Sequence, residues 1–194
     1  MEIDTGIKVR VNDGVYPPSE DSYFLIQCIN VGKERVLDMG TGTGIIALHA
    51  AKEGAVVTAV DKNEKAVKNA KENADNNGIK LTVRQSDLFS NVKESFDVII
   101  FNPPHLPSDK TEEAWEGGKD GVEITEKFLG GASYHLNSGG KIYIILSTLG
   151  NIKKLIGEFK PYYQFEELGK LSLFFEKLVV YSVFPSGQNF YNDI

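Results

Sequence analysis

The chain carries one cysteine, Cys28, so no internal disulfide can staple it and a reducing compartment suits it. Its three histidines, His49, His105 and His135, lie far apart and beside no cysteine, a spacing that offers no metal-ligand set. No apolar run reaches the length of a membrane span, and the first residues lack the basic and apolar pattern of a secretory signal. Basic excess is missing as well. The 21 Lys and Arg face 27 Asp and Glu, a formal net charge of -6, which argues against an obligatory nucleic-acid partner. Internal repeats and low-complexity tracts are absent too. These gaps predict a cytoplasmic protein with no metal and no membrane association, and 194 residues suffice for one domain with a sizeable core.

What is present is an alternation of short apolar strands and helical stretches. Helix is expected over 19–31, 44–52, 64–76, 122–136 and 151–159, and strand over 36–39, 56–60, 81–84, 96–101 and 141–146. That order predicts an α/β fold, a doubly wound and mostly parallel sheet. Two further strand-like runs, 162–168 and 174–184, are separated by the short connector 169–173, which requires an antiparallel C-terminal hairpin and makes the sheet seven-stranded. Ahead of these, Ile7 to Val11 and the Asn12-Asp13-Gly14 turn suggest an N-terminal hairpin within residues 1–15. Ser19 is the expected cap of the first helix. Residues 106–120 form a long polar loop, expected on the substrate side, and 185–194 a polar and aromatic tail. Lys62, Lys65, Lys68 and Lys71 stand at helical spacing and read as a solvated helix face.

Chemistry gathers at the predicted strand ends. Asp38-Met39-Gly40-Thr41-Gly42-Thr43-Gly44 joins the first strand to an apolar helix, and glycines at such a turn let the backbone approach a ligand. A dinucleotide fingerprint would be G-x-G-x-x-G or end in Ala, whereas Ile45 stands at that last position and the third glycine falls one residue early. Asp38 before the glycines disfavours a pyrophosphate and suits a cationic amino-acid moiety. The second strand ends in Asp61, placed where an acid takes ribose hydroxyls, and Asp87 and Leu88 follow the third. The fourth ends in Asn102-Pro103-Pro104-His105. Two prolines stop the strand and stiffen the chain beside the Asn, leaving carbonyl acceptors suited to a planar NH2 group.

Together these segments resemble the successive motifs of class I S-adenosylmethionine-dependent methyltransferases, a Rossmann-like family. Asn102-Pro103-Pro104-His105 resembles the N-P-P-Y signature of members that methylate a planar amide or amino nitrogen. Val15-Tyr16-Pro17-Pro18-Ser19-Glu20-Asp21-Ser22 is similar to the V-Y-x-P-x-E-D-[ST] segment of HemK-type protein-glutamine methyltransferases, and Trp115 to Gly121 resembles their G-G-x-D-G loop. Phe174-Phe175-Glu176-Lys177-Leu178 is similar to the short eukaryotic and archaeal branch, which lacks the helical N-terminal domain of the bacterial branch. One departure is His105 in place of the usual Tyr; an imidazole is planar and can still cover the face of an amide.

The resemblance implies S-adenosyl-L-methionine as cofactor and the Gly-Gly-Gln glutamine of a class I peptide-release factor as substrate. It places Tyr16 and Ser22 over the cofactor, Asp38, Gly40, Gly42 and Gly44 beside its methionyl part, Asp61 on the ribose, and Asp87 with Leu88 at the adenine. Asn102, Pro103, Pro104 and His105 would hold the amide. It also implies a small zinc-binding activator that adds a strand at an exposed sheet edge. The third strand is the edge expected for it, and an edge simply protected by Lys80 and Arg84 is the competing reading. Three alternatives stand beside this one. An exocyclic-amino methyltransferase of RNA or DNA would meet the same two donors, a non-catalytic scaffold would keep the fold, and a nicotinamide oxidoreductase is opposed by Ile45 and the terminal hairpin.

Overall fold

The computed structural model describes residues 1–104 and 122–187. Along strand β4 (Phe96–Phe101) the side chains alternate between two apolar layers: Val98 and Ile100 enter one, Ile99 and Phe101 the other. Such a strand must be covered on both faces, and it lies at the centre of a seven-stranded sheet ordered β3-β2-β1-β4-β5-β7-β6. β1 (Arg35–Met39), β2 (Val56–Asp61), β3 (Thr82–Gln85), β4 and β5 (Leu136–Ser147) run parallel. β7 (Lys177–Pro185) is antiparallel to both β5 and β6 (Tyr163–Ser172). Helices α1 (Glu20–Cys28), α2 (Ile45–Lys52) and α3 (Glu64–Asn77) pack on one face, and α4 (Glu123–Ala132) and α5 (Ile152–Phe159) on the other.

The chain winds outward from β1 through β2 to the β3 edge, then returns to place β4 on the other side of β1. Strand order therefore reverses between β1 and β4, and the C-terminal ends of these strands diverge there into the crevice where ligands of open α/β sheets bind.

Three local readings of the sequence are corrected. Residues 7–11 form no hairpin. Instead Asn69, Asn73 and Asn77, one helical turn apart on α3, take the backbone of the N-terminal segment in place of a partner strand. Asn77 Oδ1 accepts from Lys8 N at 2.9 Å, Asn73 Oδ1 from Arg10 N at 2.8 Å and Asn69 Oδ1 from Asn12 N at 3.0 Å. Their amide groups donate back to the Lys8 and Arg10 carbonyls. The spacing matches because four helical residues rise about 6 Å and two extended residues span about 6.6 Å.

The C-terminal hairpin turns later than the 169–173 connector anticipates. Gly169 lies within β6 at a register shift, and a Cβ there would sit 3.0 Å from Cys28 Sγ and 3.3 Å from Phe24, so glycine allows α1 to close on the strand. The turn is made by residues 173–176, with Leu173 N donating to Glu176 O, and it leaves Phe174 and Phe175 almost fully exposed. β7 then runs to Pro185, one residue past the expected end. Finally, Ser19 stands at the N-cap of α1 without bonding the helix through its side chain. Its hydroxyl pairs with the Tyr16 phenol instead.

Candidate active site

The strand ends at the reversal point open into a cavity of about 590 Å³. Gly40, Gly42 and Gly44 hold φ angles of 66°, 55° and 84°, and Gly44 shows why one of them is required. A Cβ at Gly44 would lie 3.2 Å from Ala70 Cβ, so the left-handed turn and the close seat of α2 against α3 both exclude a side chain. Gly40 and Gly42 line the cavity, while Gly44 faces α3 and does not.

Asp38 departs from its expected place as well. It does not line the cavity. Its fully buried carboxylate turns into the start of α2, accepting from Thr41 Oγ1 at 2.6 Å and from the Ala47 amide, which makes it a cap of that helix and an anchor of the glycine turn. Burial pushes its pKa up to about 7.

Asp61, at the end of β2, does line the cavity and also clasps the glycine turn. Its Oδ2 accepts from Gly42 N and its Oδ1 from Asn63 N, each at 2.9 Å, and burial raises its pKa. Asp87 and Leu88 form the next stretch of wall. Leu88 has a φ of 46°, a left-handed conformation unfavourable for leucine, and Ser86 holds it by donating to the Leu88 carbonyl at 2.6 Å while receiving Asn91 N at 2.9 Å. An apolar side chain is thereby turned to the cavity beside a carboxylate, a pairing suited to the flat face and polar rim of a purine.

The cavity is also lined by Asn102, Pro103 and Pro104 at the end of β4 and by Tyr16 and Ser22 from the segment entering α1. His105 and the 106–120 loop lie outside the described residues, as do residues 188–194 of the tail. Two wall residues were missed in the sequence. Asp21 is buried and accepts from Asn102 Nδ2 at 2.9 Å. Glu176 reaches the cavity from the β6–β7 turn and is held by the Ser147 hydroxyl. The signal for Asp21 was its place in the Val15–Ser22 segment, and for Glu176 its place in Phe174–Leu178, but only the fold brings either to the cavity. Tyr16 is pushed up to about 12 by burial and then by the charge of Asp21, with Glu176 adding to the effect.

Thus one pocket combines a glycine turn, a carboxylate at the end of β2, an apolar and acidic wall after β3, and an asparagine with two prolines after β4. Such a wall has room and donors for a nucleoside-like molecule on one side and a planar amide on the other. Among the described residues no cluster of His, Cys, Asp and Glu could hold a metal, and no helix is long and apolar enough to cross a membrane.

Comparison with known proteins gives the same picture. The model of the family described as methyltransferase small domain matches residues 7–174. A protein of Methanocaldococcus jannaschii, assigned by inference as a protein N5-glutamine methyltransferase, is 41% identical over 185 residues, spanning 90% of this chain and 94% of that protein. The release factor glutamine methyltransferase of Lactococcus lactis is 33% identical over 71% of this chain, which spans only 58% of that relative's length. Among solved structures, the E. cuniculi Mtq2–Trm112 complex, responsible for methylation of the termination factor eRF1, superposes with a TM-score of 0.72. It shares 24% identity and covers 87% of this chain and 97% of its own.

Proposed function

The chain belongs to the methyltransferase small-domain family, and on that premise we propose that it methylates the side-chain amide nitrogen of a protein glutamine, that of the Gly-Gly-Gln motif of a class I peptide-release factor, with S-adenosyl-L-methionine as methyl donor. The observation that carries this reading is the seat of Asn102-Pro103-Pro104 at the end of β4, in the same cavity as the glycine turn and Asp61. The relatives named for glutamine methylation supply the substrate class.

The residues present suit the donor. Gly40 and Gly42 leave backbone against its methionyl part, Asp61 can take the ribose hydroxyls, and Asp87 with Leu88 can take the adenine rim and face. Tyr16 and Ser22 close the same side. Asp38, held inside the glycine turn, shapes this wall without reaching it. When bound, the donor supplies a methyl group already activated on a sulfonium.

What remains for the protein is positioning, because an amide nitrogen is a poor nucleophile whose lone pair is delocalised into its carbonyl. Asn102 Oδ1 and the Pro103 carbonyl accept the two N–H bonds of the incoming amide. They draw the NH2 out of conjugation and fix its direction. Pro103 and Pro104 keep these acceptors rigid. Loss of the amide proton follows from the acidity of the methylated nitrogen and requires no dedicated base. The family resemblance gives His105 the role of covering the amide plane.

A small zinc-binding partner subunit pairing with the β3 edge belongs to the same proposal. β3 is a true edge of four residues, and a second cavity of about 350 Å³, lined by Lys71, Ile79, Lys80, Leu81 and Val83, lies beside it.

Labelled S-adenosylmethionine, supplied with the protein, a release factor and an RNA fraction in separate reactions, tests the assignment. Label is expected on the release factor's Gly-Gly-Gln glutamine. Transfer to RNA alone would replace the substrate reading with that of a nucleobase amino-methyltransferase.

A further inference from the structure

Asn102 can serve as an acceptor only if its carbonyl end, and not its NH2 end, is turned to the substrate. The two ends of an asparagine amide have nearly the same shape, so sterics alone do not choose between them. A hydrogen-bond partner must. In this structure the Asn102 NH2 group meets the Asp21 carboxylate at 2.9 Å and, at the longer distance of 3.5 Å, the Ser22 hydroxyl; the carboxylate accepts and cannot donate.

Asp21 sits in the first turn of α1, where the helix N-terminus favours negative charge. Its two oxygens are divided. Oδ1 accepts from Ser22 N at 2.6 Å and Ser22 Oγ at 3.2 Å, and Oδ2 accepts from Asn102 Nδ2 at 2.9 Å. The Tyr16 phenol also hydrogen-bonds this carboxylate. Each of these groups presents a hydrogen to it. The side chain is largely buried in the cavity wall, where hydrogen bonds are stronger than in bulk water.

We infer that Asp21 is the positioning residue of the transfer reaction, holding the NH2 group of Asn102 so that its carbonyl oxygen is committed as acceptor of the substrate amide. The inference rests on the role proposed above for Asn102. Its second consequence is electronic: a carboxylate on the N–H side of an amide pushes electron density toward the carbonyl oxygen and makes it a stronger acceptor. Asp21 touches no reacting atom in this account. Its effect passes through Asn102.

Asp21→Asn is the informative change, since it keeps the shape and removes the acceptor-only character. The new amide keeps its oxygen on Ser22 N and turns an NH2 toward Asn102. Asn102 then rotates to offer its own oxygen to that group, and its NH2 faces the cavity, donor against donor with the substrate. The expected result is a kcat for release-factor methylation lowered by about 10- to 100-fold, the size typical of losing a residue that orients a catalytic group, with the S-adenosylmethionine Kd within about threefold of wild type. The double variant Asp21→Asn/Asn102→Ala should be no slower than Asn102→Ala alone, because the two act through one interaction.

Three outcomes overturn the inference: kcat of Asp21→Asn within twofold of wild type, losses that multiply in the double variant, or a Kd that rises in step with the fall in kcat, as a purely structural role in α1 would produce. Failure of the underlying reading looks different. In that case Asn102→Ala alone keeps full turnover.

Discussion

Asp38 receives the Thr41 hydroxyl at 2.6 Å from within the turn that links β1 to α2, and both side chains are buried. The expected consequence is a pH-dependent stability. Burial pushes this carboxyl up to about 7 in the folded state, against 3.8 for an exposed aspartate, so between those values the native protein binds a proton that the unfolded chain releases. Stability is therefore fullest below pH 4 for this group and declines as pH rises through 7. Asp61, also raised by burial, acts in the same direction, whereas Asp4, Glu94 and Asp97, lowered by their partners, contribute at more acidic pH and in the opposite sense. Denaturant unfolding at pH 5 and pH 7.5 should show a loss on the order of 2 kcal/mol in wild type. Asp38→Asn should flatten that slope; an equal slope in both proteins would place the titration elsewhere.

Much of this architecture was legible in the chain. Strand β4 ends in four consecutive apolar residues between Asp97 and Asn102, and it is found buried between two layers at the predicted ends. The glycine turn, Asp61, Asp87, Leu88 and Asn102 all reach one pocket because each ends or follows a parallel strand, a relation that strand order alone supplies. Less legible were the contacts that cross between elements. Asn69, Asn73 and Asn77 stand at i, i+4 and i+8 in the sequence, yet their role depends on an extended segment about sixty residues away, and the lysine stripe on the same helix draws the eye first. The hairpin turn was misplaced because Gly169 resembles a turn residue, while its actual duty is to let Cys28 and Phe24 approach. Asp38 and Asp61 look alike in sequence, both acids at strand ends. Only the direction of each side chain separates the helix cap from the cavity wall.

The asparagine ladder gives a stability prediction. Asn73 is fully buried and holds four groups at once: Arg10 N, the Arg10 and Thr43 carbonyls, and, through its own backbone carbonyl, Asn77 Nδ2. Asn73→Ala leaves Arg10 N and the buried Thr43 carbonyl without this partner, at a cost of about 1–3 kcal/mol. Asn73→Asp keeps the acceptor for Arg10 N but sets a charge against two carbonyls, so it should be at least as damaging. The denaturant midpoint reads both. Since the ladder ends where Asn63 Nδ2 donates to the Gly14 carbonyl, just ahead of Tyr16, cofactor affinity should fall with it.

For the cofactor, Asp61 is the decisive side chain. Asp61→Ala removes the proposed ribose acceptor and also frees Gly42 N and Asn63 N, so S-adenosylmethionine binding should weaken by about 1–3 kcal/mol. Asp61→Asn keeps a carbonyl for one of those amides and should lose less. Calorimetric titration of both variants, with NAD as a control ligand that wild type should bind worse, checks the order. Tighter binding of NAD by wild type would mean that the glycine turn had been read for the wrong nucleotide.

The β3 edge is the remaining test, and it separates a docking strand from a protected one. Thr82 is exposed on β3, and the Arg84–Glu94 ion pair at 2.7 Å sits two residues further along. A lysine at an edge position discourages a second strand from pairing while leaving the parallel contact with β2 in place. Thr82→Lys should therefore leave the folded chain as stable as wild type, within about 0.5 kcal/mol. If a partner subunit pairs here, the isolated chain is weakly active or poorly soluble, co-expression restores methylation, and Thr82→Lys lowers that restored activity by at least about tenfold, the equivalent of 1.4 kcal/mol of strand pairing. Full activity of the chain alone on a release factor would show that Lys80 and Arg84 simply guard the edge. The two outcomes differ in whether a second protein is needed at all, so a single comparison of isolated and co-expressed enzyme decides between them.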